Sequence, residues 1–133
     1  MEIRITDSGR KPMEIRITDS EWRLMECLWI KGPLTQAQLM KLLEADWNKN
    51  TVHTFLSRLT KKGLVQTDKT VQPHEYQALV SREDCVRQEE QNFLDKLFQG
   101  SAGKLVTSFV KQGRLTEKER EDLKQLLEEL DHD

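Results

Sequence analysis

Along residues 48–79 the alternation of apolar and polar residues changes period once, and the two halves predict different elements. At about 100° per residue, Val52, Phe55, Leu56 and Leu59 share one arc of a helix. Asn50, Thr54, Ser57, Arg58 and Lys61 take the opposite arc, with Thr51 and Lys62 at its margin. After Gly63 come two strand-like runs, 64–67 and 75–79, separated by a polar loop holding Asp68, Lys69 and Pro73.

Two helices are expected ahead of this one. Thr18 and Glu21 have the spacing of a capping box, opening a stripe of Trp22, Leu24, Met25, Leu28 and Trp29 that stops at Gly32-Pro33. Thr35 and Gln38 repeat the cap ahead of Leu39, Leu42 and Leu43, a helix expected to end near Asp46-Trp47. Asn48 can cap the third helix, which closes at Lys61-Lys62-Gly63. Three short helices, the last one cationic, followed by a hairpin, are the order of a winged helix-turn-helix.

The remaining third is helical by pattern. Ser81 opens a long segment with Val86, Phe93, Leu94, Leu97 and Phe98, broken near Gly100 and Gly103. Leu105, Val106, Phe109 and Val110 form a second stripe ended by Gly113. Thr116 and Glu119 make a third capping box, and Leu123, Leu126, Leu127 and Leu130 recur at i, i+3, i+4 and i+7. So small a segment cannot bury this much Leu, Val and Phe alone, and a second copy of the chain is the simplest cover. Packing back onto the winged helix is the alternative. The expected class is mainly α with a small β-hairpin. It comprises a winged-helix DNA-binding domain over 13–80 and a helical dimerisation domain over 81–133.

Charge sharpens this picture. The chain carries a formal net charge of -2, but the charge is unevenly placed. Within 47–69, Lys49, Arg58, Lys61, Lys62 and Lys69 face Asp68 alone. The acid is concentrated beyond residue 80, and local field decides where a polyanion docks. A short, acid-free face of Asn, Thr, Ser and Arg fits a major groove, where those groups reach base edges and phosphates. A merely solvated helix face is the plain alternative. The candidate DNA-binding residues are Lys49, Asn50, Thr51, Thr54, Ser57, Arg58, Lys61 and Lys62, with Lys69 on the wing.

Other chemistry is sparse. Cys27 and Cys85 are far apart, with no CxxC, and are expected to be reduced thiols packed beside helices. His53 stands at the edge of the polar face and can touch a phosphate; His74 and His132 look incidental. No nucleophile–base pair, phosphate-cradling glycine loop or metal-ligand spacing is present, so neither catalysis nor a cofactor or metal is expected. Mean hydropathy of -0.71, no apolar run near the roughly 20 residues of a membrane span and no signal-peptide pattern predict a cytoplasmic protein without membrane insertion. Residues 1–8 recur identically as 13–20. A duplication this short is no packed repeat; residues 1–12 are read as a duplicated segment from cloning or start-site choice, with the native chain starting at Met13.

The run Glu21-Trp22, Leu28-Trp29, 47–52 and 56–63, with Phe93-Leu94, Leu97-Phe98, Leu105-Val106, Phe109 and Leu126-Leu127 after it, resembles the BlaI/MecI penicillinase-repressor family. The resemblance covers essentially all of 13–133. It implies a winged-helix repressor of antibiotic-resistance genes, dimeric on inverted repeats of TACA/TGTA-like half-sites in double-stranded promoter DNA. The family's contacting helix positions fall on Asn50, Thr51, Thr54 and Arg58, Asn50 replacing a frequent lysine. The resemblance further implies inactivation by a sensor-triggered protease at the Ser108-Phe109 bond. The copper-responsive branch's terminal cysteines are missing. Dimerisation residues are expected at Phe93, Leu94, Leu97, Phe98, Leu105, Phe109, Leu123, Leu126, Leu127 and Leu130. A winged-helix module binding an acidic protein partner through the same face is the alternative function.

Overall fold

The computed structural model describes residues 16–44 and 47–131; the duplicated segment, Asp46 and His132 lie outside them. Among these residues six helices and three short strands follow in the order α1 (Asp19–Lys31), β1 (Leu34–Thr35), α2 (Gln36–Leu43), α3 (Lys49–Lys61), β2 (Val65–Asp68), β3 (Glu75–Ala78), α4 (Arg82–Phe98), α5 (Ala102–Lys111) and α6 (Glu117–Asp131). The chain divides into two compact units, 1–88 and 89–133.

In the first unit each helix begins where a side chain covers its orphan N–H groups. Thr18 and Glu21 form a reciprocal capping box on α1, Thr35 and Gln38 do the same on α2, and Asn48 caps α3. Leu24, Met25 and Leu28 from α1, Leu39 and Leu43 from α2, and Val52, Leu56 and Leu59 from α3 make the core, closed below by Leu64 and Val65. The chain leaves α3 through a Schellman turn. Gly63 sits at φ 80°, and the Leu64 N–H donates to the Leu59 carbonyl at 3.0 Å.

The sheet is three-stranded and antiparallel in the order β1-β3-β2, with Leu34 opposite Tyr76 and Thr67 opposite Tyr76 on the other edge. The hairpin is therefore present, and β1 is an addition to it. A two-residue strand has no alternation to detect, and Thr35 doubles as the cap of α2. That helix also ends sooner than the pattern predicts: Glu44 adopts a left-handed φ of 48° and Leu43 is the last helical residue.

The first unit extends past the expected boundary at residue 80. Val80 and Cys85 are buried in its core, the Trp29 indole donates to the Val80 carbonyl at 2.9 Å, and Arg82 pairs with Glu26 at 2.9 Å. The opening turns of α4 thus belong to the winged helix. Cys85 is buried and Cys27 half-buried, where burial raises its thiol pKa. Among the described residues no helix is long and apolar enough to cross a membrane.

Two carboxylates on α1 make acid a specific threat to this unit. Burial pushes Glu21 up, but hydrogen bonds from Lys62 and Thr18 outweigh it and leave the group below its ordinary 4.5. The Arg82 hydrogen bond holds Glu26 below 4.5 as well. A carboxyl depressed in the folded state stabilises fully above its unfolded value, and that contribution disappears as pH falls through the folded value. The denaturant midpoint should be flat with respect to these groups above about pH 5 and decline below 4.5. A Glu21→Gln, Glu26→Gln variant with an unchanged acid limb would contradict this.

In the second unit the end of α4 is followed by α5 and α6, the latter opened by the Thr116–Glu119 capping box. Leu94, Phe98, Leu105, Phe109 and Leu123 are half-buried. Phe93, Leu97, Val106, Val110, Leu126, Leu127 and Leu130 are exposed, Leu130 to 69%. Not one described residue of this unit is buried.

Candidate nucleic-acid interface

The placement of α3 follows from contacts at its ends. At the start, Asn48 Oδ1 accepts the Thr51 N–H at 2.8 Å and the Gln36 amide donates to the Lys49 carbonyl at 2.7 Å, tying α2 to α3. Arg23 on α1 donates to the Leu43 carbonyl at 3.1 Å and lies 5.0 Å over the Trp47 ring. Trp47 meets Phe55 edge-on at 5.2 Å, and the Arg58 guanidinium stands 5.9 Å over Phe55. An aromatic pair with a cation on each side therefore runs from α1 to Arg58 and favours one orientation of that guanidinium.

The face opposite the core presents Lys49, Asn50, His53, Thr54, Ser57, Arg58, Thr60 and Lys61 to solvent, with Thr51 half-buried. The face contains no acid. Thr54 donates its hydroxyl to the Asn50 carbonyl at 2.9 Å. Its hydrogen is taken up within the helix, which leaves a methyl group and oxygen lone pairs facing out. That combination suits a thymine methyl or a base amino group. No hydrogen bond within the protein engages the side chains of Asn50, Ser57 or Arg58 among the described residues.

The wing adds to this face. His53, Ser57, Thr60 and Lys61 of α3 line an open cleft of about 440 Å³ together with Thr67, Lys69, His74 and Tyr76. The fold thus brings Lys69 beside Lys61 and Ser57. It also corrects His74, which the sequence made incidental: folding of β2 against β3 carries it into the cleft. The turn is fixed by Asp68, whose carboxylate accepts the Thr70 hydroxyl and N–H and is held below its usual range mainly by those bonds.

Lys62 departs from expectation. Its ammonium lies 2.7 Å from Glu21 Oε1 and donates to the Arg16 carbonyl at 2.6 Å, turned toward the N-terminal turn of α1. The sequence placed Lys62 at the margin of the polar arc, and a buried carboxylate 41 positions away draws it inward. No cluster of three metal-ligating side chains occurs among the described residues. The Ser108-Phe109 bond lies inside α5, where both residues are half-buried and Ser108 accepts the Gln112 amide at 2.8 Å.

The family model described as penicillinase repressor matches residues 17–129. The methicillin resistance regulatory protein MecI of Staphylococcus aureus is 29% identical over 109 residues, 80% of this chain and 89% of that protein. The penicillinase repressor of Bacillus licheniformis is 27% identical over 111 residues, 82% of this chain and 87% of the relative. Among solved structures, the YusO protein of Bacillus subtilis superposes with a TM-score of 0.48 at 17% identity, covering 87% of this chain and 75% of that one. With the family model spanning both compact units, the chain belongs to the penicillinase repressor family.

Proposed function

We propose that the protein is a transcriptional repressor that binds inverted-repeat operators in double-stranded DNA as a homodimer. The observation that carries the DNA-binding part is the acid-free outer face of α3, continued by Lys61 and Lys69 across the cleft to the wing. Base-edge contacts fall to Asn50, Thr51, Thr54, Ser57 and Arg58. Lys49, Lys61 and Lys69 hold the phosphate backbone, with His53 and His74 beside it. The relatives above are a methicillin resistance regulatory protein and a penicillinase repressor, and a resistance operon is the corresponding target here.

Dimerisation is supported by the second unit, in which no described residue is buried while Leu126, Leu127 and Leu130 stand open to solvent. A second copy covers such a surface symmetrically. Two α3 helices then address half-sites about 34–36 Å apart, or a multiple of that. Release comes from a protease that opens α5 and cuts the Ser108-Phe109 bond.

An electrophoretic shift on the chain's own upstream region, in excess competitor DNA, tests this reading. Specific retardation supports it. Absence of any shift at low salt would instead favour an acidic protein as the partner of the same face. Arg58→Ala should weaken operator binding by about 1–3 kcal/mol per half-site if Arg58 reads a base. If it holds only phosphate, all sequences should weaken alike and the salt slope should flatten by about one unit per contact. Unchanged affinity on every duplex would show that another face binds.

A further inference from the structure

Besides its core contacts, and Gln36 and Asn48 at its start, α3 is tied to α1 at its far end by an ion pair. Lys62, the C-cap, meets Glu21 Oε1 at 2.7 Å, and that same oxygen accepts the Thr18 N–H at 2.9 Å as part of the α1 cap. Glu21 is 1% exposed, and its Oε2 has no hydrogen-bond partner. The carboxylate therefore depends on Lys62 for charge compensation, since a buried charge without a partner is strongly unfavourable. Neighbouring Lys61 is exposed and lines the cleft toward the wing. Two adjacent lysines thus diverge, one toward the proposed DNA face and one toward α1.

We propose that Glu21 is a positioning residue for operator recognition. By holding Lys62 it fixes the C-terminal end of α3 to the first turn of α1 and keeps Lys62 off the phosphate backbone. This rests on the repressor reading above. The helix has 13 residues, about 20 Å at 1.5 Å each. A tilt of about 5° about its start would move its far end by nearly 2 Å over that length. Hydrogen bonds from Arg58 to a base edge tolerate only tenths of an ångström. Non-specific binding, governed by total phosphate contacts, is far less sensitive to such a tilt.

The test compares full-length Glu21→Gln, Lys62→Met, the double variant and Lys61→Met, at temperatures where circular dichroism shows each folded. Glutamine keeps the capping geometry while removing the charge. The probes are a duplex with inverted TACA/TGTA half-sites and a scrambled duplex. Glu21→Gln and Lys62→Met should each lower the ratio of operator to scrambled affinity about tenfold, and the double variant should be no worse. Lys62→Met should leave the salt slope unchanged, whereas Lys61→Met should flatten it by about one unit per contact. Lys62→Arg, which can still pair with Glu21, should restore the ratio.

A flattened slope in Lys62→Met, or a parental ratio in the folded variants, would overturn the proposal. Amine acylation of the parent chain needs no variant to fold. Lys62 should react slowly with and without operator, while Lys61 becomes protected only on binding; a Lys62 that behaves like Lys61 overturns the proposal too. A parent chain that shifts neither duplex removes the repressor reading and this role with it. A normal parent shift with unmoved ratios removes the positioning role alone.

Discussion

A chain truncated after Ser108 should sediment as a monomer and lose tight operator binding while its winged helix stays folded. The full chain, by contrast, should sediment at micromolar concentration near twice 15.6 kDa. The truncation removes Phe109, Val110 and all of α6, taking with it the exposed Leu126, Leu127 and Leu130. The core of the first unit, from Leu24 to Cys85, lies wholly upstream. Once monomeric, each head meets a half-site alone, and the lost effective concentration is commonly worth about 10²–10⁴ in apparent affinity. The same geometry sets a condition on any protease. Ser108 lies within a hydrogen-bonded helix that has no buried residue, so α5 must first open, and a segment so thinly packed opens at low cost. A truncated chain that still dimerises and retains full operator affinity would remove both the dimer surface and the release mechanism.

Leu59→Ala should be the most damaging of the single core changes on α3. Leu59 has no exposed surface and packs in the cluster that supports α3. Truncating a buried leucine costs about 2–5 kcal/mol, depending on how far the site collapses. That is a large share of the roughly 5–15 kcal/mol available to a domain. Tm should fall by about 4–8 °C per kcal/mol in a unit of this size. Operator binding below the new Tm should change far less, because Leu59 contributes nothing to the outer face. A loss under about 1 kcal/mol by denaturant titration would mean that this core is looser than its burial indicates.

What could be read from residues alone was what local chemistry controls. Thr18 with Glu21, Thr35 with Gln38, Asn48 and Thr116 with Glu119 start their helices through contacts three residues away, and each lies where the spacing predicts. The polar arc of α3 is likewise local, since one helical period separates Val52, Leu56 and Leu59 from Asn50, Thr54 and Arg58. What escaped depends on distant partners. Glu21 was legible as a cap and invisible as the partner of Lys62. His74 reaches the cleft only once β2 and β3 pair. β1 is too short to have a period, and the helical pattern of α4 continues without a break across residue 88, giving no mark where one unit ends.

The start of α3 has an electrostatic consequence. Its first turn contains no acid and its first residue is Lys49, whereas α1 and α6 each open with two carboxylates. A cation at the positive end of a helix dipole is unfavourable by about 0.3–1 kcal/mol at low ionic strength. The free head therefore folds with a small standing frustration at the surface proposed to meet DNA. A backbone phosphate seated at that terminus reverses the sign of the interaction. The proposed DNA contact at Lys49 would then link folding to binding through a single helix end. Added salt, by screening Lys49 from the dipole, stabilises the unbound fold at this locus even as it weakens the complex.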